Sequence, residues 1–220
     1  MKNNTTVAFM AIIAIGSGLV GYTFATDNSV QESATAFVVK PAMSGYLQVE
    51  VHDSQGNLKD VRHADNVVTK QGENCALRLL FQDPDLSGAS STSGNCAGAM
   101  SQPFTYIGVG TGASQESGDQ VKLDTELAAD GLTRAAATTV TWTNSSGAEP
   151  GDSAQIVLAK TFTVTGTQTI AEAGLFNDTS GNGDTDAMFA RKAFNGVTVN
   201  NGDSLTVTWT INIGNTTNFD

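Results

Sequence analysis

Five oxygen-bearing side chains recur at every second position in the last quarter of the chain: Asp178, Ser180, Asn182, Asp184 and Asp186, with Gly183 among them. That alternation resembles a calcium loop, because a hard cation gathers clustered carboxylate, amide and hydroxyl oxygens. The twelfth place of the helix-loop-helix calcium pattern, counted from Asp178, holds Phe189 where a bidentate glutamate belongs. A turn of Asx and Gly residues joining two strands explains the same run without a metal, since these side chains bond to their own backbone. Calcium is thus an optional ligand of the turn, and no cofactor is required.

Other groups with chemical potential are isolated. Gly108, Gly110 and Ala113 satisfy G-x-G-x-x-A, but a dinucleotide site needs a helix directly after the motif, and Ser114 to Asp119 reads as a turn. Glu172 stands between small apolar residues in a strand; a hydrogen bond to a nearby turn, or an ion pair with Arg191 or Lys192 on the next strand, accounts for it better than acid-base catalysis. The only histidines, His52 and His63, flank a hairpin and read as solvated. Trp142 and Trp209 sit in alternating strands and are expected in the core rather than on a sugar-stacking platform. No nucleophile elbow, P-loop or Ser/His/Asp arrangement is present in the sequence, so no catalytic residue is assigned and the chain is read as a non-enzyme.

Bulk composition narrows the classes further. The 220 residues carry a net charge of −11 with only 11 Lys and Arg, which argues against nucleic acid, because phosphate binding needs clustered cations. Charged residues make up only 15% of the chain, so Thr, Ser, Asn, Gln and Gly must cover the surface, and those residues suit strands and turns.

Residues 1–25 are read as a targeting segment: a thin basic start at Lys2, the apolar stretch Val7 to Leu19, and a small-x-small site at Thr23-Phe24-Ala25. Cleavage would make the chain an exported protein, extracellular or at the cell surface. Retention would make the same segment an N-terminal hydrophobic anchor helix, the only membrane contact foreseen. In an oxidising compartment Cys75 and Cys96 are expected to form one disulfide. Asn144, Asn177 and Asn215 begin glycosylation sequons.

Residues 26–35 form a linker and residues 36–220 one domain. Strand-like runs are expected at Ala36 to Val39, Tyr46 to Val51, Leu58 to Val61, Phe104 to Val109, Thr138 to Thr143, Ala154 to Thr165, Thr169 to Phe176, Ala187 to Phe194 and Ser204 to Ile213. One helix is expected from Lys70 to Phe81, where Ala76, Leu77, Leu80 and Phe81 fall at helical spacing and Asp83-Pro84 stops the run. Leu123 to Ala129 reads as a brief helical turn. The fold class is mainly β: an antiparallel β-sandwich, jelly-roll or Ig-like, with one short helix.

A resemblance covers Tyr46 to Gly214. Asn66-Val67-Val68-Thr69 before a helix, Phe104 to Gly112, Asp124-Thr125-Glu126-Leu127, Ile170 to Phe176 and Gly202 to Trp209 occur in an order that resembles a β-sandwich family of bacteriophage tail and minor virion proteins. The resemblance implies a non-enzymatic structural module that packs against copies or partners. The leader and cysteine pair depart from that pattern and favour a secreted surface or filament protein using a similar fold. The expected partners are further copies of the chain, joined when Ala36, Phe37, Val38, Val39 and Lys40 add as a strand to a neighbour's sheet. The alternative is a calcium-dependent secreted binding module, with carbohydrate as one ligand class.

Overall fold

Alternation of apolar and polar residues along the long runs generates two five-stranded antiparallel sheets. The computed structural model describes residues 19–20, 37–38, 43–81, 103–143, 153–179 and 186–214. Its elements in chain order are β1 (Leu19–Val20), β2 (Phe37–Val38), β3 (Met43–His52), β4 (Leu58–Asp65), β5 (Val67–Val68), α1 (Lys70–Phe81), β6 (Tyr106–Gly110), β7 (Ala135–Ala136), β8 (Thr139–Thr143), β9 (Ser153–Thr163), β10 (Gln168–Phe176), β11 (Met188–Val199) and β12 (Ser204–Gly214). The first large sheet has the order β4-β3-β12-β9-β8, the second β5-β11-β10-β6-β7, and β1 and β2 form a separate pair.

One core lies between the large sheets. Leu47, Val49 and Val51 from β3, Leu205, Val207 and Trp209 from β12, and Leu158 and Phe162 from β9 meet Ile107 and Val109 from β6, Ala173 and Leu175 from β10, and Val197 and Val199 from β11. The period of two puts these side chains on one face of each strand while Thr206, Thr208 and Thr210 of β12 take the other. The architecture is therefore β-sandwich-like with one short helix.

Turn chemistry fixes the hairpins. Asp53 Oδ1 accepts the N–H groups of Gln55 and Asn57, each at 2.9 Å, and closes the β3–β4 turn. Gly202, at φ 91°, supplies the left-handed residue of the β11–β12 turn, where Asn200 O accepts the Asp203 N–H at 3.0 Å. The helix α1 begins at Thr69, whose Oγ1 accepts the Gly72 N–H at 3.0 Å as an N-cap. Among its described side chains Gln71, Gly72 and Cys75 are buried, and Leu77 is 58% exposed. The apolar spacing located the helix; a polar residue, Gln71, makes a docking contact by accepting the Met188 N–H at 2.8 Å.

The stretch Leu123 to Ala129 is not helical. Its backbone is drawn alongside β6: Thr125 O accepts from Thr111 N at 3.0 Å, Leu127 N donates to Val109 O at 2.9 Å, and Glu126 bridges Gly110. Pairing with an existing strand end satisfies these groups without a helix. A second local irregularity matters more. The β10–β11 register shifts between Ile170 and Glu172, so Ile170 faces the core before the shift and Ala173 and Leu175 face it afterwards. Glu172 is thereby turned to the outer face of the second sheet.

Candidate functional site

The outer face of β10, β11 and β6 carries buried charge beside a small apolar cluster of Leu123, Phe176 and Met188. Glu172 and Arg191 have side chains 0% exposed and pair at 2.8 Å from Nη2 and 2.9 Å from Nε to the same carboxylate oxygen, Oε2. The same carboxylate accepts three backbone N–H groups from the crossing loop: Gly112 at 3.1 Å, Asp124 at 3.1 Å and Thr125 at 2.8 Å. Arg191 also donates to Ser114 O at 3.2 Å, Gln120 Oε1 at 3.0 Å and Asp124 Oδ2 at 2.8 Å. Both partners anticipated for Glu172, a turn and Arg191, are present at once. Lys192 instead pairs with Glu116 at 2.5 Å.

A second cluster stands beside the first. Arg134, 2% exposed in its side chain, makes a two-toothed pair with Glu126 at 2.7 and 2.6 Å, donates to Asp178 O at 3.1 Å and pairs with Asp186. Its guanidinium lies 3.4 Å from the centroid of the Phe176 ring, a cation–π contact in a dry setting. Room for both clusters comes from glycines. A Cβ on Gly110 would lie 2.5 Å from Glu172 Oε1, one on Gly112 equally close, and one on Gly108 2.8 Å from Glu126 Oε1. Steric clearance over buried carboxylates, rather than a phosphate cradle, is what this glycine-rich stretch provides.

Every charged group in the two clusters is spent on an internal partner, so the arrangement ties the 111–134 loop to the sheet and offers no poised acid or base. Arg134 and Glu126 carried no sequence-level signal of their own. The row Gly108, Gly110, Gly112 was the available clue, because small residues at every second strand position leave space for something large above them.

Of the proposed calcium ligands, Asp186 is fully buried and paired with Arg134, and Asp178 faces its own turn, its Oδ1 accepting the Thr179 N–H at 2.6 Å. Ser180, Asn182 and Asp184 lie outside the described residues, among which no group of three His, Cys, Asp or Glu is placed to hold a metal. Asn177, which begins one of the sequons, is 2% exposed, and its Oδ1 accepts the Ala187 N–H at 2.7 Å. Asn144 and Asn215 lie outside the described residues, as do Cys96, Ala36, Val39, Lys40 and all of residues 1–25 except Leu19 and Val20. Cys75 is buried against Ala187 and Phe104. His63 is exposed, its Nδ1 sharing a 2.6 Å hydrogen bond with the Tyr46 hydroxyl.

Two carboxylates away from these clusters are tuned by their surroundings. Burial alone would raise the pKa of Asp203, but the Lys59 ammonium and the Asn200 N–H outweigh it and hold the group below the ordinary aspartate value. Burial likewise opposes, and the Lys192 ammonium reverses, the shift of Glu116, which ends below its ordinary value. A cavity of about 450 Å³ is lined by Met43, Gly45, Asp65, Asn66, Val68 and Glu73 at the start of β3.

The most unusual surface is β8. All five of its residues are exposed, with Val140 at 52% and Trp142 at 67%. Trp142 was expected in the core, and the register shows why it is not. Leu47, Trp209, Leu158 and Val140 stand side by side across the first sheet, and Ile211, Ile156 and Trp142 form the next row. Val140 and Trp142 therefore continue the inner, core-facing rows. The second sheet ends at the two-residue β7, and Val140 and Trp142 do not join the core cluster that their rows lead into. Trp209, in the same alternation, is fully buried.

The segment β2 belongs to neither large sheet; its register partners are Leu19 and Val20, with Val38 opposite Leu19 and Phe37 opposite Val20. Among the described residues no helix is long and apolar enough to cross a membrane. Compared with family models, curated proteins and solved structures, the chain matches none, so the likeness to phage tail and minor virion proteins rests on the order of its sequence blocks alone.

Proposed function

We propose that this chain is a non-enzymatic, exported structural protein whose copies join by strand addition into a surface filament, pilus or virion-like assembly. The observation that carries the reading is the placement of β2: a strand-forming, uncharged segment that, among the described residues, joins neither large sheet and pairs with Leu19 and Val20. Cleavage of the leader after Ala25 would remove Leu19 and Val20 and leave the backbone groups of Phe37 and Val38 to find another partner. A neighbouring sheet edge supplies one, with main-chain hydrogen bonds for affinity and alternate side chains for fit. Head-to-tail joining of this kind extends into filaments unless it closes into a ring. The satisfied charge clusters agree with this role, since they stiffen a loop-covered face rather than prepare a reacting group. A disulfide between Cys75 and Cys96 would add the covalent stability suited to an oxidising exterior.

Static light scattering and electron microscopy of the exported protein test the reading. Concentration-dependent growth into elongated assemblies is the expected outcome. A chain that stays monomeric at high concentration with its leader removed would refute it.

A further inference from the structure

Resting on that reading, we infer that the acceptor for the Ala36 to Lys40 segment is the outer edge of β8, which pairs with no further strand among the described residues, with Val140 and Trp142 as its apolar floor, and that the segment comes from a second copy of the chain. The choice of edge follows from edge chemistry. Long, flat, uncharged edges accept extra strands, and proteins normally block them with charges or keep them very short. On the first sheet, β4 carries Lys59, Asp60, Arg62, His63 and Asp65 and pairs with β3 through a register shift. On the second, β5 and β7 are two residues each. Only β8, Thr-Val-Thr-Trp-Thr, is five residues long, uncharged and free of proline, with apolar side chains left uncovered on the inner face. Ala36-Phe37-Val38-Val39 is equally uncharged, and its alternate side chains would extend the core rows that end at Val140 and Trp142.

Chain geometry sets the source of the segment. Met43 is held in register opposite Ile213 on β12. A strand added outside β8 lies four strand spacings from β3 in the order β3-β12-β9-β8, which is about 19 Å. Lys40 is joined to Met43 by three Cα steps, at most about 11 Å. A segment ending at Lys40 cannot lie along its own β8, so the occupant is another copy.

The test uses protein recovered after export of the full chain. One variant, Val140→Lys/Trp142→Lys, blocks the acceptor; a second, Phe37→Lys/Val39→Lys, blocks the donor. The acceptor variant is expected to raise the concentration needed for assembly at least about thirtyfold, the scale of losing one buried tryptophan anchor. Each variant alone should be monomeric, and their mixture should stop at dimers, because one intact donor meets one intact acceptor. Wild type that assembles while the acceptor variant assembles equally well would overturn the β8 assignment and leave strand addition standing. Wild type that never assembles would overturn the proposed function itself. Should a variant fail to fold, a titration of wild-type protein with a synthetic peptide of residues 34–42 decides the matter through tryptophan emission. The chain has two tryptophans, Trp209 is already fully buried, and a blue shift therefore reports on Trp142. No shift, or a shift produced by a peptide of leader residues 15–22 and not by residues 34–42, would contradict the inference.

Discussion

Replacing Glu172 by Ala probes the buried charge layer directly. The substitution removes an acceptor from three backbone N–H groups, those of Gly112, Asp124 and Thr125, and takes the main partner from an Arg191 side chain that is 0% exposed. Breaking a buried, hydrogen-bonded pair from one side costs about 3–5 kcal/mol, because the remaining charge stays out of water. Asp124 still contacts Arg191 and is 31% exposed, which keeps the loss within that range despite the three orphaned donors. For a chain of this size each kcal/mol moves the melting temperature by about 2–4 °C, giving a fall of roughly 6–20 °C. Urea unfolding followed by tryptophan emission at a fixed dilute concentration supplies the free energy. Lys70→Ala is the control: its partner Asp119 and Lys70 itself are 64% and 59% exposed at 2.5 Å, and such pairs are worth about 0.2–1 kcal/mol. The double change Glu172→Ala/Arg191→Met should cost less than the sum of the single changes, since it removes the stranded cation. A Glu172→Ala loss no larger than that of Lys70→Ala would show that the layer is hydrated and does not hold the loop.

Gly110→Ala is expected to cost about 1–3 kcal/mol in the same assay, as its Cβ would press on Glu172 Oε1 and Thr125 O, and a neutral result would remove the steric reason for the glycine row. Asp203 has its pKa lowered in the folded state, so its contribution is present above the unfolded aspartate value of about 3.9 and is lost as pH falls through the lower folded value. Melting curves of Asp203→Asn should therefore show a shallower acid limb than wild type, and an unchanged limb would refute the Lys59 pairing. Millimolar calcium is expected to leave the melting temperature unchanged, because Asp186 is engaged by Arg134; an increment abolished by Asp184→Ala would establish the turn as a cation site. Non-reducing peptide mapping is expected to recover Cys75 joined to Cys96, and labelling of two free thiols in native protein would reject the bridge.

Strand and helix positions were legible where one periodicity dominated. In β3 and β12 the alternation of Leu47, Val49 and Val51 and of Leu205, Val207 and Trp209 marks both the element and its buried face. The helix bounds Lys70 to Phe81 followed from apolar residues at helical spacing and the Asp83-Pro84 stop, whereas the docking of Gln71 and Gly72 on the sheet has no apolar signal to mark it. Trp142 shows the limit of period-two reasoning. Alternation tells which side chains share a face, but whether that face is covered depends on how far the opposite sheet extends. Leu123 to Ala129 failed for a related reason, since pairing with the end of β6 overrode a weak helical pattern. Glu172 was recognised as a carboxylate needing a partner, whereas Arg134 and Glu126, eight residues apart with no shared pattern, become neighbours only once the loop crosses the sheet.

We propose that one copy's N-terminal strand completes another copy's sheet. Sedimentation velocity on the exported, leader-free protein over a wide concentration range measures it most directly. A ladder of species growing by whole copies is expected at high concentration, lost when Phe37 and Val39 are both changed to Lys. A single species of about one chain mass at every concentration would contradict it.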